Sequence, residues 1–263
     1  ISAALKGNAG ITIGNVAGSN ILNILIILGL TAFLTKKIVP VASSTIKYEM
    51  PFMIVIMLIL LWMGYAGNEI SRLEGIGLWV IFLLYLFYLL KMAKKGTDKN
   101  PGDDEGEILE RGGVKKKKSM AMLFLFTVVG LALIVIGSSV TVDAATAIAR
   151  IIGLSERFIG LTIVALGTSL PELFTSVSAA RKGSADIAIG NIVGSNIFNI
   201  LFVVGTSALI TPVVFESKFI VDFIVAVAAG VLLWVFSFSG KSLNRVEGRL
   251  LLLGYLGYFI YLL

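Results

Sequence analysis

The decapeptide GNVAGSNILN at residues 14–23 returns, little changed, as GNIVGSNIFN at residues 190–199. Around it, residues 2–24 and 178–200 agree at 16 of 23 positions. The likeness weakens and then returns at the end of each copy, where RLEGIGLWVIFLLYLFYLL (72–90) matches RVEGRLLLLGYLGYFIYLL (245–263) in its Arg, Glu, Gly and Tyr positions. Residues 1–90 and 178–263 are therefore two copies of one unit, and any fold for this chain has to use that unit twice.

The medium in which the copies fold follows from what surrounds the motifs. The chain is 57% hydrophobic and 14% charged, too little charge to cover a soluble domain of this length. A hydrocarbon core about 30 Å thick takes roughly 20 apolar residues per helix. Runs of that kind predict helices over 9–34, 46–66, 74–91, 120–147, 157–181, 185–210, 217–239 and 246–263, with the end of another at 1–7. They are too long and continuous for barrel strands. The run that starts at Met120, continued to Arg150, would reach roughly 46 Å as a helix, so tilt or an interfacial end is expected. Cys and His are absent, which excludes disulfides, thiolate zinc sites and histidine catalysis. The fold class expected is an all-α, multi-pass integral membrane protein.

One stretch is hydrophilic: MAKKGTDKNPGDDEGEILERGGVKKKKS, residues 92–119. Its Gly, Pro and mixed charges read as a linker between halves, and the order of acids and Gly in DDEGE does not match an EF-hand loop. The expected organisation is a first repeat over 1–91, the linker over 92–119 and a second repeat over 120–263. If loops alternate sides, 17 of the 22 basic residues fall on the linker's side, which the positive-inside rule makes cytoplasmic. The loop after the first decapeptide is then cytoplasmic and the loop after the second external. The copies are inverted, so each holds an odd number of helices, and inverted repeats with a midplane site between them are a transporter architecture. Residues 119–177 precede the second copy, and nothing in the chain corresponds to them before Ile1. The expectation is an upstream segment of about 60 residues, which would supply the first helix and most of the second helix of the first repeat.

Two motifs carry chemistry. In GLTIVALGTSLPELFTSVSAA (160–180), Glu172 lies in mid-membrane, where an ionisable group costs at least about 2.5–3.5 kcal/mol and is functional by default; the structural alternative is a hydrogen bond to a neighbouring helix. The ring of Pro171 clashes with the Gly167 carbonyl and opens the helix there. That frees carbonyls near Ala165 and Gly167, and Thr168 and Ser169 add hydroxyls in the same turn. An all-oxygen set of this kind suits a hard cation such as Na⁺ or Ca²⁺. In the decapeptides, positions four apart share a helix face: Asn15, Ser19 and Asn23 form one polar stripe, and Asn191, Ser195 and Asn199 form its copy. They either line a site or hydrogen-bond between helices. Gly14 with Gly18, and Gly190 with Gly194, are G-x-x-x-G pairs that admit a close neighbour. Ile192, off the stripe, is expected to tolerate substitution better.

GTSLPEL followed by GNIVGSNIFN strongly resembles the second α-repeat of the sodium/calcium exchanger family, within the cation/calcium antiporter superfamily, and GNVAGSNILN resembles the tail of the first. The resemblance covers nearly the whole chain. It implies ten helices in two inverted five-helix repeats, with the second and seventh broken, and a sliding gate helix at 120–150. It also implies ion sites lined by Ser19, Asn23, Ala165 through its carbonyl, Thr168, Ser169, Glu172, Ser195 and Asn199. The implied activity is exchange of Ca²⁺ for Na⁺ across the plasma membrane by alternating access, with no cofactor and with the lipid bilayer as surroundings. The first-repeat GTSxPE segment is not in this chain. Asp in place of Asn199 accompanies potassium dependence in several relatives, so Asn199 points away from potassium coupling.

Other classes fit less well. A selective channel builds its filter from a ring of subunits, which a helix break inside a pseudo-symmetric monomer does not resemble. A membrane enzyme needs a nucleophile, an acid–base pair or a metal cluster, and one carboxylate without His or Cys supplies none. Within the antiporters, Ca²⁺/H⁺ exchange is the alternative, because a buried Glu can itself carry a proton.

Overall fold

The computed structural model describes residues 9–35, 38–97, 120–181 and 185–263. The 1–7 stub, Lys36, Lys37 and all of the linker beyond Thr97 lie outside the described residues. Helix α1 runs through Ala9–Leu22, a π-helical segment Asn23–Leu28 and Gly29–Leu34. Helix α2 starts with a π-helical turn, Thr45–Glu49, and continues as Met50–Gly67; α3 is Arg72–Thr97 and α4 is Met120–Ile151. Helix α5 joins Glu156–Ile159, a π-helical turn Gly160–Val164 and Ala165–Thr168, and α6 follows at Leu170–Arg181. Helix α7 repeats the build of α1 as Ala185–Phe198, Asn199–Val204 and Gly205–Ile210; α8 is Phe219–Gly240 and α9 is Arg245–Leu262. Among the described residues, five helices are long and apolar enough to cross a bilayer, and six if the bent pair α5–α6 is counted as one span.

The fold is helical, as its apolar runs predict, apart from strands of two residues: β1 (Val39–Pro40), β2 (Glu69–Ile70), β3 (Val213–Val214) and β4 (Ser242–Leu243). Their pairing shows how the halves interlock. β1 pairs antiparallel with β4, and β2 with β3, so each bridge joins one half to the other at one end of the bundle.

The RLEG and RVEG likeness has the same origin. Ser71 and Glu74 cap the start of α3 reciprocally: the Ser71 N–H donates to Glu74 Oε2 at 2.7 Å, and the Glu74 N–H donates to Ser71 Oγ at 3.3 Å. Asn244 and Glu247 do the same for α9, with the Asn244 N–H donating to Glu247 Oε2 at 2.7 Å. These capping boxes satisfy amides that have no partner inside the helix. The arginine that follows reaches into the opposite half. Arg245 Nε donates to Thr35 O at 3.0 Å, at the end of α1, and Arg72 Nη2 lies 3.4 Å from Ile210 O, at the end of α7. The glycine lets the backbones touch. A Cβ on Gly248 would stand 2.9 Å from Gly29 O, and one on Gly75 would stand 3.0 Å from Gly205 O. Each half's last helix thus packs on the motif helix of the other half, and a pseudo-twofold axis runs between α1 and α7.

Both motif helices lie in the core. Ile192, expected to be tolerant, is fully buried there; a residue off the polar stripe faces the apolar packing instead, and truncating a buried Ile to Ala typically costs about 2–5 kcal/mol.

Candidate cation site

Helices α5 and α6 meet at Ser169 with a bend of 55°. Ser169 has φ −97° and ψ 0°, and Pro171 falls in the first turn of the new helix, where a missing N–H costs nothing. The break differs from expectation in one respect. The Ala165 carbonyl is not released: it accepts from the Ser169 N–H at 3.1 Å and from Thr168 Oγ1 at 3.0 Å. Thr168 turns its hydroxyl back onto the helix end and holds that carbonyl within the site's oxygen cluster.

Helix α1 lies against α5 because Gly18 has no side chain: a Cβ there would stand 2.6 Å from Leu161 O and 2.8 Å from Ala165 Cβ. The approach brings oxygens together around Thr168. Its Oγ1 lies 2.9 Å from Ser19 Oγ and 3.2 Å from Asn15 Oδ1, as well as 3.0 Å from Ala165 O. A hydroxyl has one proton to donate, so this group of oxygens is richer in lone pairs than in hydrogens. Ser169, next in the chain, is buried.

On the other side of the break, Glu172 stands in the first turn of α6. Ser195 Oγ of α7 donates to Glu172 Oε1 at 3.0 Å, while the buried Glu172 Oε2 has no hydrogen-bond partner among the described residues. One turn further along α6 the hydroxyl of Ser176 is likewise buried and unpartnered. The two serines of the repeat therefore meet one broken helix at different points, Ser19 before the break and Ser195 at the acid after it.

The asparagines form crossed pairs. Asn23 Nδ2 of α1 donates to Asn196 Oδ1 of α7 at 2.8 Å, and Asn199 Nδ2 of α7 donates to Asn20 Oδ1 of α1 at 3.1 Å. The residues are twofold mates, because Asn20 and Asn23 occupy the same motif positions as Asn196 and Asn199. Asn20 and Asn196 are fully buried, and Asn23 is 1% exposed with its Oδ1 unpartnered among the described residues. The stripes drawn at every fourth residue omit Asn20 and Asn196; their recurrence as the third identical polar position of both decapeptides was the signal available. Helix α6, which carries Glu172, packs against the π-helical segment that begins at Asn23.

Of the residues expected to line a site, Ser19, Ala165 and Thr168 are in direct contact, Glu172 meets Ser195, and Asn23 and Asn199 pair across the axis with the other motif helix. Among the described residues no group of three or more His, Cys, Asp or Glu side chains comes together. Glu172 brings a carboxylate to a setting of hydroxyl and amide oxygens. In a buried setting, polar atoms without partners are rare, and oxygens left without donors are what a cation can satisfy. Such hard oxygen ligands fit Na⁺ or Ca²⁺.

A family model for sodium/calcium exchanger protein matches residues 1–91 and 122–263. CaxA of Alkalimonas amylolytica is 40% identical over 267 residues, covering 98% of this chain and 80% of that protein. The sodium/calcium exchanger MaX1 of Methanosarcina acetivorans is 31% identical over 302 residues, covering 100% of this chain and 83% of that protein. Among solved structures, the sodium-calcium exchanger NCX_Mj soaked with 2.5 mM Na⁺ and 10 mM Sr²⁺ superposes with a TM-score of 0.75 at 28% identity, covering 97% of this chain and 78% of that chain.

Proposed function

The chain belongs to the sodium/calcium exchanger family, and from that premise we propose that it moves Ca²⁺ across the membrane in exchange for Na⁺ by alternating access, binding the ions in turn where α5 breaks into α6. A cation/calcium antiporter of this family is a transporter, not an enzyme. The observation that carries the ion assignment is the buried, unpartnered Oε2 of Glu172 beside the Ser195 hydroxyl. Asn23 Oδ1 and the oxygens around Thr168 complete a set in which the ion replaces the missing hydrogen-bond donors. Ser19, Asn23, Ala165 through its carbonyl, Thr168, Ser169, Glu172, Ser195 and Asn199 are the residues assigned to it. Na⁺ needs only this mixture of one charge and neutral oxygens, and Ca²⁺ takes the same ligand type at higher charge.

The two halves are read as repeats over 1–91 and 120–263 joined by a cytoplasmic linker over 92–119, in the plasma membrane, on the strength of the basic-residue asymmetry. Proton coupling is the second reading, and one observation favours it: the unpartnered carboxylate oxygen of Glu172 is also where a proton would sit. The deciding measurement is ⁴⁵Ca²⁺ uptake into proteoliposomes at clamped membrane potential. An outward Na⁺ gradient at equal pH should drive uptake, and a pH gradient without Na⁺ should not. Uptake driven by the pH gradient alone would replace Na⁺ with H⁺ as the coupling ion.

A further inference from the structure

The two halves treat one acid–tyrosine pair differently. Asp222 and Tyr258 follow Glu49 and Tyr85 by 173 residues, the interval that also separates the two capping boxes. In the second half the pair is closed: Asp222 is fully buried and accepts from the Tyr258 hydroxyl at 3.0 Å. In the first half it is open. Glu49 is 7% exposed, and its one hydrogen bond among the described residues is from Thr45 Oγ1 at 3.1 Å. Where the tyrosine hydroxyl would close it, a cavity of about 420 Å³ lies between α2 and α3.

The lining of that cavity is graded. Phe52, Ile81 and Leu84 make one part apolar, and Lys47, Glu49 and Tyr88 stand at the other. Lys47 is exposed and forms no ion pair with Glu49, two residues away. The polar part lies at the end of the bundle that carries Lys91, Lys94, Lys241, Arg245 and Arg249, and Tyr48, Tyr85 and Tyr88 beside it are residues typical of the headgroup level of a bilayer. A site with an unpaired anion, an unpaired cation and an apolar floor complements a zwitterion on an acyl chain. We propose that this cavity binds a membrane phospholipid with a primary-ammonium headgroup, its ammonium donating to the Glu49 carboxylate, its phosphate facing Lys47 and an acyl chain lying along Phe52, Ile81 and Leu84.

The aromatic rings decide between a primary and a quaternary ammonium. Quaternary groups are held by ring faces arranged as a cage. Here Phe52 stacks on Tyr85 at 5.3 Å and 18°, and Tyr85 stacks on Tyr88 at 6.2 Å and 24°. The faces are turned to each other. What the cavity offers a cation is a carboxylate oxygen, which favours a headgroup that can donate hydrogen bonds.

Native mass spectrometry of the purified chain tests this with phosphatidylethanolamine, phosphatidylcholine and phosphatidylglycerol of identical acyl chains. A charge-assisted hydrogen bond corresponds to about tenfold or more in affinity, so phosphatidylethanolamine should bind about tenfold tighter than either of the others. Glu49→Gln should reduce it to the level of phosphatidylcholine, and Leu84→Trp, which fills the cavity from an exposed position, should weaken all three. Equal binding of the ethanolamine and choline lipids to the unmodified protein overturns the proposal, as does tightest binding of phosphatidylglycerol. So does an ethanolamine preference that survives Glu49→Gln, or ethanolamine-lipid binding that Leu84→Trp leaves unchanged. Should Glu49→Gln fail to fold, the three-lipid comparison and Leu84→Trp decide it alone.

Discussion

Helices α1 and α7 carry the same decapeptide, yet 83% of the apolar stretch of α1 is buried against 50% for α7. The difference lies in their neighbours. Gly18 of α1 is pressed onto the backbone of α5, whereas among the described residues nothing stands within 4 Å of a Cβ on Gly194, its counterpart in α7. Ser19 and Asn23 are buried, and their mates Ser195 and Asn199 are half-exposed. The crossed asparagine pairs, by contrast, are the same for both helices. The contacts that cross the symmetry axis are thus alike for both copies, while the segment packed on α1 outside the axis has no counterpart on α7 among the described residues. In this chain α1 is held against the oxygen-rich turn before the break, and α7 brings a hydroxyl to the acid after it.

The largest effect expected is at the point both copies serve. Glu172→Gln keeps the size of the side chain and its capacity to accept from Ser195, but removes the charge that offsets dehydration of a divalent ion. Hydrogen bonds and ion contacts to a charged group are worth about 1.5–3 kcal/mol each, so Na⁺-driven ⁴⁵Ca²⁺ flux should fall about 100-fold or to background. Thermal unfolding in detergent should be little changed. Flux at the unmodified rate would make Glu172 a structural residue and would remove the reason for treating α1 and α7 as parts of one site.

The glycine pair sharpens the comparison through stability. Gly18→Ala forces a methyl group to within 2.6 Å of Leu161 O, where backbone has to move. Overpacking of this kind costs about 1–3 kcal/mol, which should appear as a lowered Tm. Among the described residues a Cβ on Gly194 meets nothing, so in this 263-residue chain Gly194→Ala gains helix propensity and its Tm should be unchanged or raised, by the equivalent of about 0.5–1 kcal/mol. If Gly194→Ala lowered Tm as much as Gly18→Ala, α7 would have a packing partner equivalent to α5.

Much of this was legible in the sequence, for reasons that differ by residue. Helix positions followed from apolar runs, because lipid leaves the backbone no alternative to internal hydrogen bonding. The break followed from Pro171. The inverted arrangement followed from counting charges between copies, and the interlocked ends give the RxEG likeness its meaning: a cap, an arginine and a glycine contact aimed at the opposite half. Asn20 and Asn196 were harder to read. A stripe drawn every fourth residue selects Asn23 with Ser19, yet residues three apart also share a face. The π-helical segments begin at Asn23 and Asn199 themselves, and such segments change the winding where a side chain has to be re-aimed. The Ala165 carbonyl was expected to be free because a proline opens a helix, but a hydroxyl three residues later can turn back and occupy it.

Asn23 and Asn199 separate the copies on function. Asn23 is buried with a free Oδ1, whereas Asn199 is half-exposed and gives its amide to Asn20. Removing one neutral ligand costs about 1 kcal/mol, so Asn23→Ala should raise the apparent Kd for Ca²⁺ by about fivefold in an isothermal titration. Asn199→Ala should raise it less. The reverse order would place the ion nearer the second copy than the first.

The smallest effect concerns what the copies share. Asn23–Asn196 and Asn20–Asn199 are related by the twofold axis, so their interaction energies should be alike even though the burial of the two helices is not. Hydrogen bonds between membrane helices average about 0.6 kcal/mol, because each amide finds other partners when one is removed. Double-mutant cycles of alanine substitutions, read by unfolding in mixed micelles, should return couplings near that value for both pairs. The single substitutions will differ more than the couplings do, since Asn196 also approaches Asn20 O at 3.4 Å and Met53 Sδ at 3.7 Å. A coupling several times larger in one pair would mean that the axis is broken at its centre, and that the unequal surroundings of α1 and α7 reach into the contacts that the repeat itself encodes.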